Sequence, residues 1–288
     1  MANFIKRKDA QHRGKSSLSY ILCTRGAMYI TVGILVYIIG FVLVRGIPHL
    51  TGSLFAWNYN TENVSMLPAI LSTLIVVFFA IMLAGPIGIF TGIYLVEYAR
   101  PGSKFVEVIR VVTETLAGIP SIIYGLFGYL FFNIALQFSY SLLSGICTVS
   151  IMVLPPIVRA TEEALLSVNN GFRLGSYALG AGRLQTIFKI ILPAAIPGIL
   201  SGIILAIGRI VGETAALVFT LGTSTNIPHS LKQSGITLSL HMYKLSSEGK
   251  FPGQAYATGV ILLVIVFILN HMSGVLAKKL GGNHGKQS

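Results

Sequence analysis

The sequence predicts an all-α membrane protein that crosses the bilayer six times, with both termini in the cytoplasm. Three observations predict it. Only 10% of the residues are charged and 53% are hydrophobic, with a mean hydropathy of +0.77; a soluble domain carries about 25% charged residues. Six apolar stretches, at 27–47, 67–96, 113–138, 142–158, 194–220 and 255–277, approach the length of a membrane-crossing helix, which is about 20 residues. Basic residues cluster at alternate ends of those stretches, as positive charge retained in the cytoplasm does.

Taken in order, Lys6, Arg7, Lys8, Arg13, Lys15 and Arg25 make 1–26 a basic cytoplasmic segment. Residues 27–65 are the first span and an external loop; the apolar stretch is long and lacks a small-residue cleavage site, so it is a retained span. The second span has length to tilt, and Gly85-Pro86 with Gly88 and Gly92 supplies a kink site and a close-packing stripe. Arg100, Lys104 and Arg110 return the chain to the inner side, and Gly118 and Pro120 are placed to bend the third span. Pro155-Pro156 is expected to end or kink the fourth. Arg159, Arg173, Arg183 and Lys189 mark the next inner loop, 159–193, before the fifth span.

The outer segment 221–254 holds Thr223, Ser224, Thr225, Asn226, Pro228, His229, His241 and Glu248. It is too long for a simple connection, and long loops are often functional; an exposed connector and a docking surface both remain open for it. The sixth span leads to a cytoplasmic tail, 278–288, with Lys278, Lys279 and Lys286. The outer side carries only Arg45, Lys232, Lys244 and Lys250.

Several function classes are excluded. The formal charge of +12 comes without the aromatic-interleaved basic patch of a nucleic-acid binder. Cys23 and Cys147 are far apart, have no metal-ligand spacing and are read as small buried side chains. Gly14-Lys15-Ser16 resembles the end of a nucleotide-binding loop, but the earlier glycine position holds Asp9 and no strand precedes it. No HExxH or GxSxG motif is present.

Two stretches carry candidate function. Leu174 to Pro193 is a short amphipathic, weakly basic run between two apolar spans. Ala178, Leu179 and Ala181 are compact helix formers that suit a groove. Gly180 permits close backbone approach or ends a short helix, and Pro193 is expected to stop the stretch where the fifth span begins. On the residues alone, a passive interfacial helix lying on lipid headgroups fits as well as a docking element.

In the second stretch, Arg209 lies mid-way along 194–220, where a charge is expensive and usually functional. Glu213, four residues on, is expected on the same helical face, and Thr214 follows it. Gly208, Gly212 and Ala216 form an adjacent small-residue stripe. A pathway charge and a buried structural ion pair are both compatible with Arg209 and Glu213.

Four further stretches complete a resemblance. They are Leu95-Val96-Glu97-Tyr98-Ala99, Leu116 to Gly128 (with Gly118-Ile119-Pro120-Ser121), Arg159-Ala160-Thr161-Glu162-Glu163-Ala164-Leu165, and Gly208-Arg209-Ile210-Val211-Gly212-Glu213-Thr214-Ala215. With Gly180, Ile190, Leu192 and Pro193 in the run between the third and fourth, they resemble the permeases of ABC importers over most of 66–276. Within that binding-protein-dependent family the resemblance is to the phosphate branch, of PstA type. It implies a type I importer permease fold with a cytoplasmic coupling helix that fits a groove on an ATPase subunit. It assigns Ala178, Leu179, Gly180, Ala181, Ile190, Leu192 and Pro193 to ATPase coupling; with phosphate as the solute, the charge in the fifth span makes Arg209, Glu213 and Thr214 the candidate substrate path. One departure stands: the family's coupling loop opens Glu-Ala-Ala, whereas Leu174, Gly175 and Ser176 occupy those positions, and Glu162 and Glu163 lie too early to replace the acid.

The implied partners are a second permease subunit, an ATPase dimer that binds ATP and Mg, an external phosphate-binding protein and membrane lipid, with no nucleic acid. The chain itself is expected to hold no cofactor or metal and to hydrolyse nothing. Alternatives are a permease for another oxyanion, the sister phosphate permease, a stand-alone secondary transporter or channel, and a scaffold or sensor subunit.

Overall fold

The computed structural model describes residues 2–100 and 102–281, with side chains from Tyr20 to Val275 apart from Pro101; the end of the tail, 282–288, lies outside the described residues. Every regular element described is helical. In chain order these are α1 Ala2–Gly46, α2 Leu67–Ile93, α3 Lys104–Ala117, α4 Ser121–Gly128, α5 Leu142–Leu166, α6 Asn170–Ala178, α7 Arg183–Thr186, α8 Leu192–Gly212, α9 Ala215–Thr220, α10 Leu238–Glu248 and α11 Pro252–Gly281. Five helical stretches are long and apolar enough to cross a membrane, and the bent pair α3–α4 makes a sixth.

α5 is the hub. It packs on α2 and α8, and the core formed by Val76, Ala80, Ala84, Ile146, Val149, Met152, Val153, Ile157, Ala206 and Ile210 lies between them. Glycine makes the α2–α5 seam close. A Cβ at Gly88 would lie 2.6 Å from Ile157, and one at Gly92 would lie 2.7 Å from Thr161. The small-residue stripe expected on the second span therefore packs on the fourth.

Several expectations are corrected. The helix expected at 27–47 begins at Ala2, so the backbone of the basic segment continues the first span. Cys23 is exposed and Cys147 half-buried, not two buried side chains. The third span is not one helix over 113–138: α3 and α4–Ala135 meet at 102° across Gly118-Ile119-Pro120. Pro120 has no N–H to continue the ladder and disfavours helical backbone in the residue before it. Pro155-Pro156 neither ends the fourth span nor shortens it, because α5 runs on to Leu166. The two carbonyls that lose their partners there cost less than the packing of Ile157, Val158, Thr161 and Leu165 returns.

The fifth span also differs. α8 ends at Gly212, Glu213 is extended (ψ 128°), and α9 begins at Ala215. At the other end, Pro193 stops nothing: Arg183–Gly212 is one continuous helix of 30 residues. A π-helical turn at Ile187–Ile191 precedes the proline, and such a widened turn takes up the clash that a proline ring makes with the preceding turn. The outer segment 221–254 is not a simple exposed connector, since Gly235 to His241 is buried and leads into α10.

Candidate functional site

The inner loop builds a tip. α6 starts where Asn169 Oδ1 accepts from the Gly171 N–H at 2.8 Å, a side-chain cap. It ends at Gly180, whose φ of +80° is open to glycine without cost. The Gly180 N–H then reaches the Tyr177 carbonyl at 2.9 Å, and Ala181 N–H reaches Ser176 at 3.1 Å. Ser176 and Thr186 share a buried hydroxyl hydrogen bond of 2.8 Å, which fastens α6 to α7.

The seven residues assigned to coupling divide into two groups. Ala178, Leu179 and Gly180 are exposed and Ala181 half-buried at the tip, with Leu179 90% exposed. Leu174 and Leu184, also exposed, extend this apolar surface. Ile190, Leu192 and Pro193 do not lie on it. They are half-buried on the helix behind, where Ile190 and Leu192 pack on the cluster of Ile93, Leu165, Ile187, Ile191 and Ala195.

The tip is anchored by residues whose part sequence reading missed. Glu97, 6% exposed, pairs with Arg173 of α6: its Oε1 accepts from Nη2 at 2.7 Å and from Nε at 3.1 Å. Arg173 also donates to the Leu165 and Val168 carbonyls at 3.0 and 3.1 Å and to Asn170 Oδ1 at 3.0 Å. Beside it, the Arg183 guanidinium lies 4.9 Å above the Tyr98 ring. An acidic residue at the end of an apolar span was a signal in itself. Glu162 and Glu163 do not face this tip; Glu162 pairs with Arg110 at 2.5 Å and Glu163 with Arg159 at 3.1 Å.

At the outer end of the fifth span, the residues assigned to the path separate. Arg209 sits in the last turn of α8 rather than mid-span. It is half-buried, with no ion pair among the described residues. The expected Arg209–Glu213 pair does not form, because the extended backbone at Glu213 takes its side chain off the α8 face. Glu213 Oε1 instead accepts from the Ala216 N–H at 3.0 Å and caps α9. Thr214 is half-buried at the break, its hydroxyl 3.4 Å from the Gly212 carbonyl.

The predicted stripe divides in the same way. Ala216 meets Gly125 of α4, where a Cβ on the glycine would come within 2.8 Å, whereas Gly208 and Gly212 have nothing within 4 Å. Their side of α8 borders a groove of about 810 Å³ between α5, α8 and α11, which Arg209, Ser201, Glu163 and Asn270 line. The Asn270 Oδ1 is buried without a partner among the described residues.

A family model described as a binding-protein-dependent transport system inner membrane component matches residues 84–282. A phosphate transport system permease protein PstA of Yersinia pestis is 30% identical over 281 residues, 95% of this chain and 94% of that protein. A probable ABC transporter permease protein, YqgI, of Bacillus subtilis is 30% identical, covering 88% and 94%. Among solved structures, an inward-facing MetNI methionine ABC transporter matches with a TM-score of 0.58 and 21% identity, over 83% of this chain and 96% of that one. A bacterial ABC transporter that imports the polysaccharide alginate matches at 0.55 and 15% identity, over 87% and 96%. The chain thus belongs to the binding-protein-dependent transport system inner membrane components: it is a multi-pass, non-enzymatic permease subunit of an ABC importer, a family that works beside a second permease and an ATPase.

Proposed function

We propose that this chain carries inorganic phosphate, forming half of the translocation path of an ATP-driven phosphate importer. The observation that carries this proposal is Arg209, a half-buried guanidinium with no carboxylate paired to it among the described residues, beside an open groove. An oxyanion entering a low-dielectric passage needs compensating charge, and a guanidinium offers a planar fork of donors. The names of several relatives specify phosphate transport, which supports the same solute here.

Arg209 attracts the anion, Thr214 adds a hydroxyl at the helix break, and Glu213 holds that break open by capping α9. Discontinuous helices line solute paths because irregular backbone is tolerated where lipid cannot reach. The tip at Ala178–Ala181 docks on the ATPase, which binds ATP and Mg, while Ile190, Leu192 and Pro193 support it from behind. An external phosphate-binding protein delivers the solute.

The test is ATP-dependent phosphate uptake by the reconstituted complex in vesicles, with sulfate as competitor. Wild-type uptake requires ATP and resists sulfate. Arg209→Gln lowers uptake about ten- to a hundredfold, the cost of a lost charge-assisted interaction, and Arg209→Lys falls between. Normal uptake by both variants, with normal assembly, overturns the anion path; equal competition by sulfate makes the chain a general oxyanion permease.

A further inference from the structure

α2 and the turn after it form one helical stretch of 32 residues, Leu67–Tyr98, about 48 Å long at 1.5 Å per residue. Both of its ends are fastened by directional bonds. At the inner end Glu97 grips Arg173, and Arg173 is the one α6 side chain that also holds the end of α5 through Leu165 and Val168. At the outer end the Thr73 hydroxyl accepts from the Leu238 N–H at 2.8 Å while donating to Ala69 at 2.7 Å. Ser72 lies against Gly235, where a Cβ would come within 2.9 Å of its Oγ. The same buried outer segment reaches the break in the fifth span, because Ser239 Oγ donates to the Glu213 carbonyl at 2.7 Å. Between the two ends α2 is seated on α5 through Gly88 and Gly92.

We propose that α2 is a transmission rod: it carries displacement of the tip directly to the outer segment Gly235–His241 and the Glu213 break, with Glu97–Arg173 and Thr73–Leu238 as its two clamps. Apolar contacts slide, whereas directional hydrogen bonds at both ends, charge-assisted at the inner one, resist pull and shear. Without the inner clamp, α6 loses its direct hold on α2 and reaches the outer segment through the long helix ending at Gly212 and, by way of Leu165 and Val168, through α5. This inference rests on the coupling role given to the tip above. Glu97, Arg173 and Thr73 are positioning residues in it, and none of them touches the solute.

The experiment uses the intact complex in nanodiscs, in a Cys23→Ser, Cys147→Ser background carrying Ile236→Cys. Ile236 is 1% exposed, so the introduced thiol reports opening of the outer segment. Labelling by a maleimide is timed with and without nucleotide trapped by vanadate, and uptake per ATP is measured in vesicles. Trapping is expected to change the labelling rate about tenfold, within the range of ordinary coupling between sites. Glu97→Gln reduces that change to less than about twofold and lowers uptake per ATP about tenfold, while the ATPase stays bound. Arg173 keeps its three other oxygen partners in this variant, so the inner end remains folded. Thr73→Val, at the opposite end, has the same effect.

A full trapped-state change in both Glu97→Gln and Thr73→Val overturns the rod, as does the absence of any change in the parent. If Glu97→Gln loses the ATPase, Thr73→Val alone decides. Labelling that responds to nucleotide without phosphate uptake overturns the phosphate assignment and leaves the rod upheld or refuted by the thiol.

Discussion

The most apolar window of Tyr20–His49 has a mean hydropathy of 2.5 and buries none of its length within the chain, whereas that of Leu142–Leu166 averages 1.8 and buries 67%. The difference runs against the habit of soluble proteins, where the most apolar element is the most buried. In a bilayer the tails are as apolar as leucine, so nothing drives leucine inward, and close packing selects small and hydroxylated residues instead. α5 illustrates this. Ser144, Thr148, Ser150 and Thr161 are buried along it. Three of them return their hydroxyl to a carbonyl of the preceding turn, at 2.6 to 2.8 Å. α1 meets the bundle chiefly at its outer end, where Gly46 and Phe41 lie against Tyr256 of α11.

On this contrast, bulk added at the hub ruins the fold, and bulk added to α1 before its outer end, at Gly26, Gly33 or Gly40, is tolerated. Gly92→Leu is the severest case, since its first side-chain carbon alone would stand 2.7 Å from Thr161. Overpacking of this kind costs about 3 kcal/mol or more, and folded protein should vanish from size-exclusion chromatography. A second case carries the contrast to the outer segment, where His241 is 2% exposed and neither ring nitrogen has a partner among the described residues. Burial, reinforced by the nearby Lys244 charge, pushes its pKa down from 6.5 to about 4. The folded value lies below the unfolded one, so its stability is complete above about 6.5 and is lost as pH falls toward 4. The gap corresponds to about 3 kcal/mol. Tm measured from pH 7 to 4.5 should fall more steeply in wild type than in His241→Gln. Mildest is Gly33→Leu on α1, with nothing within 4 Å of its first side-chain carbon. It should shift stability by less than about 0.5 kcal/mol. A large drop in Tm confined to the assembled complex would mean that a partner subunit, not lipid, covers that face.

Hydropathy made the spans legible because length and apolarity are what the bilayer demands, and Gly118 and Pro120 announced the bend in the third. The break at Glu213 was hidden, since the apolar run passes through it to Thr220 and only the capping bond to Ala216 reveals why the helix stops. Pro155-Pro156 misled for the opposite reason: tertiary packing overrode a local signal. Of the candidate site, the helix end at Gly180 was legible from turn chemistry, whereas its coupling role came from the family resemblance alone. The Glu97–Arg173 pair could not, because its partners lie 76 residues apart and meet only when α2 and α6 are folded.

The helix that carries Arg209 is unbroken from Arg183 to Gly212. Thirty residues at 1.5 Å each give it a length of about 45 Å. Swung by about 10° around its cytosolic foot, it would sweep its far tip through about 8 Å. A small tilt at the membrane surface is thereby magnified into several ångströms of travel on the other side.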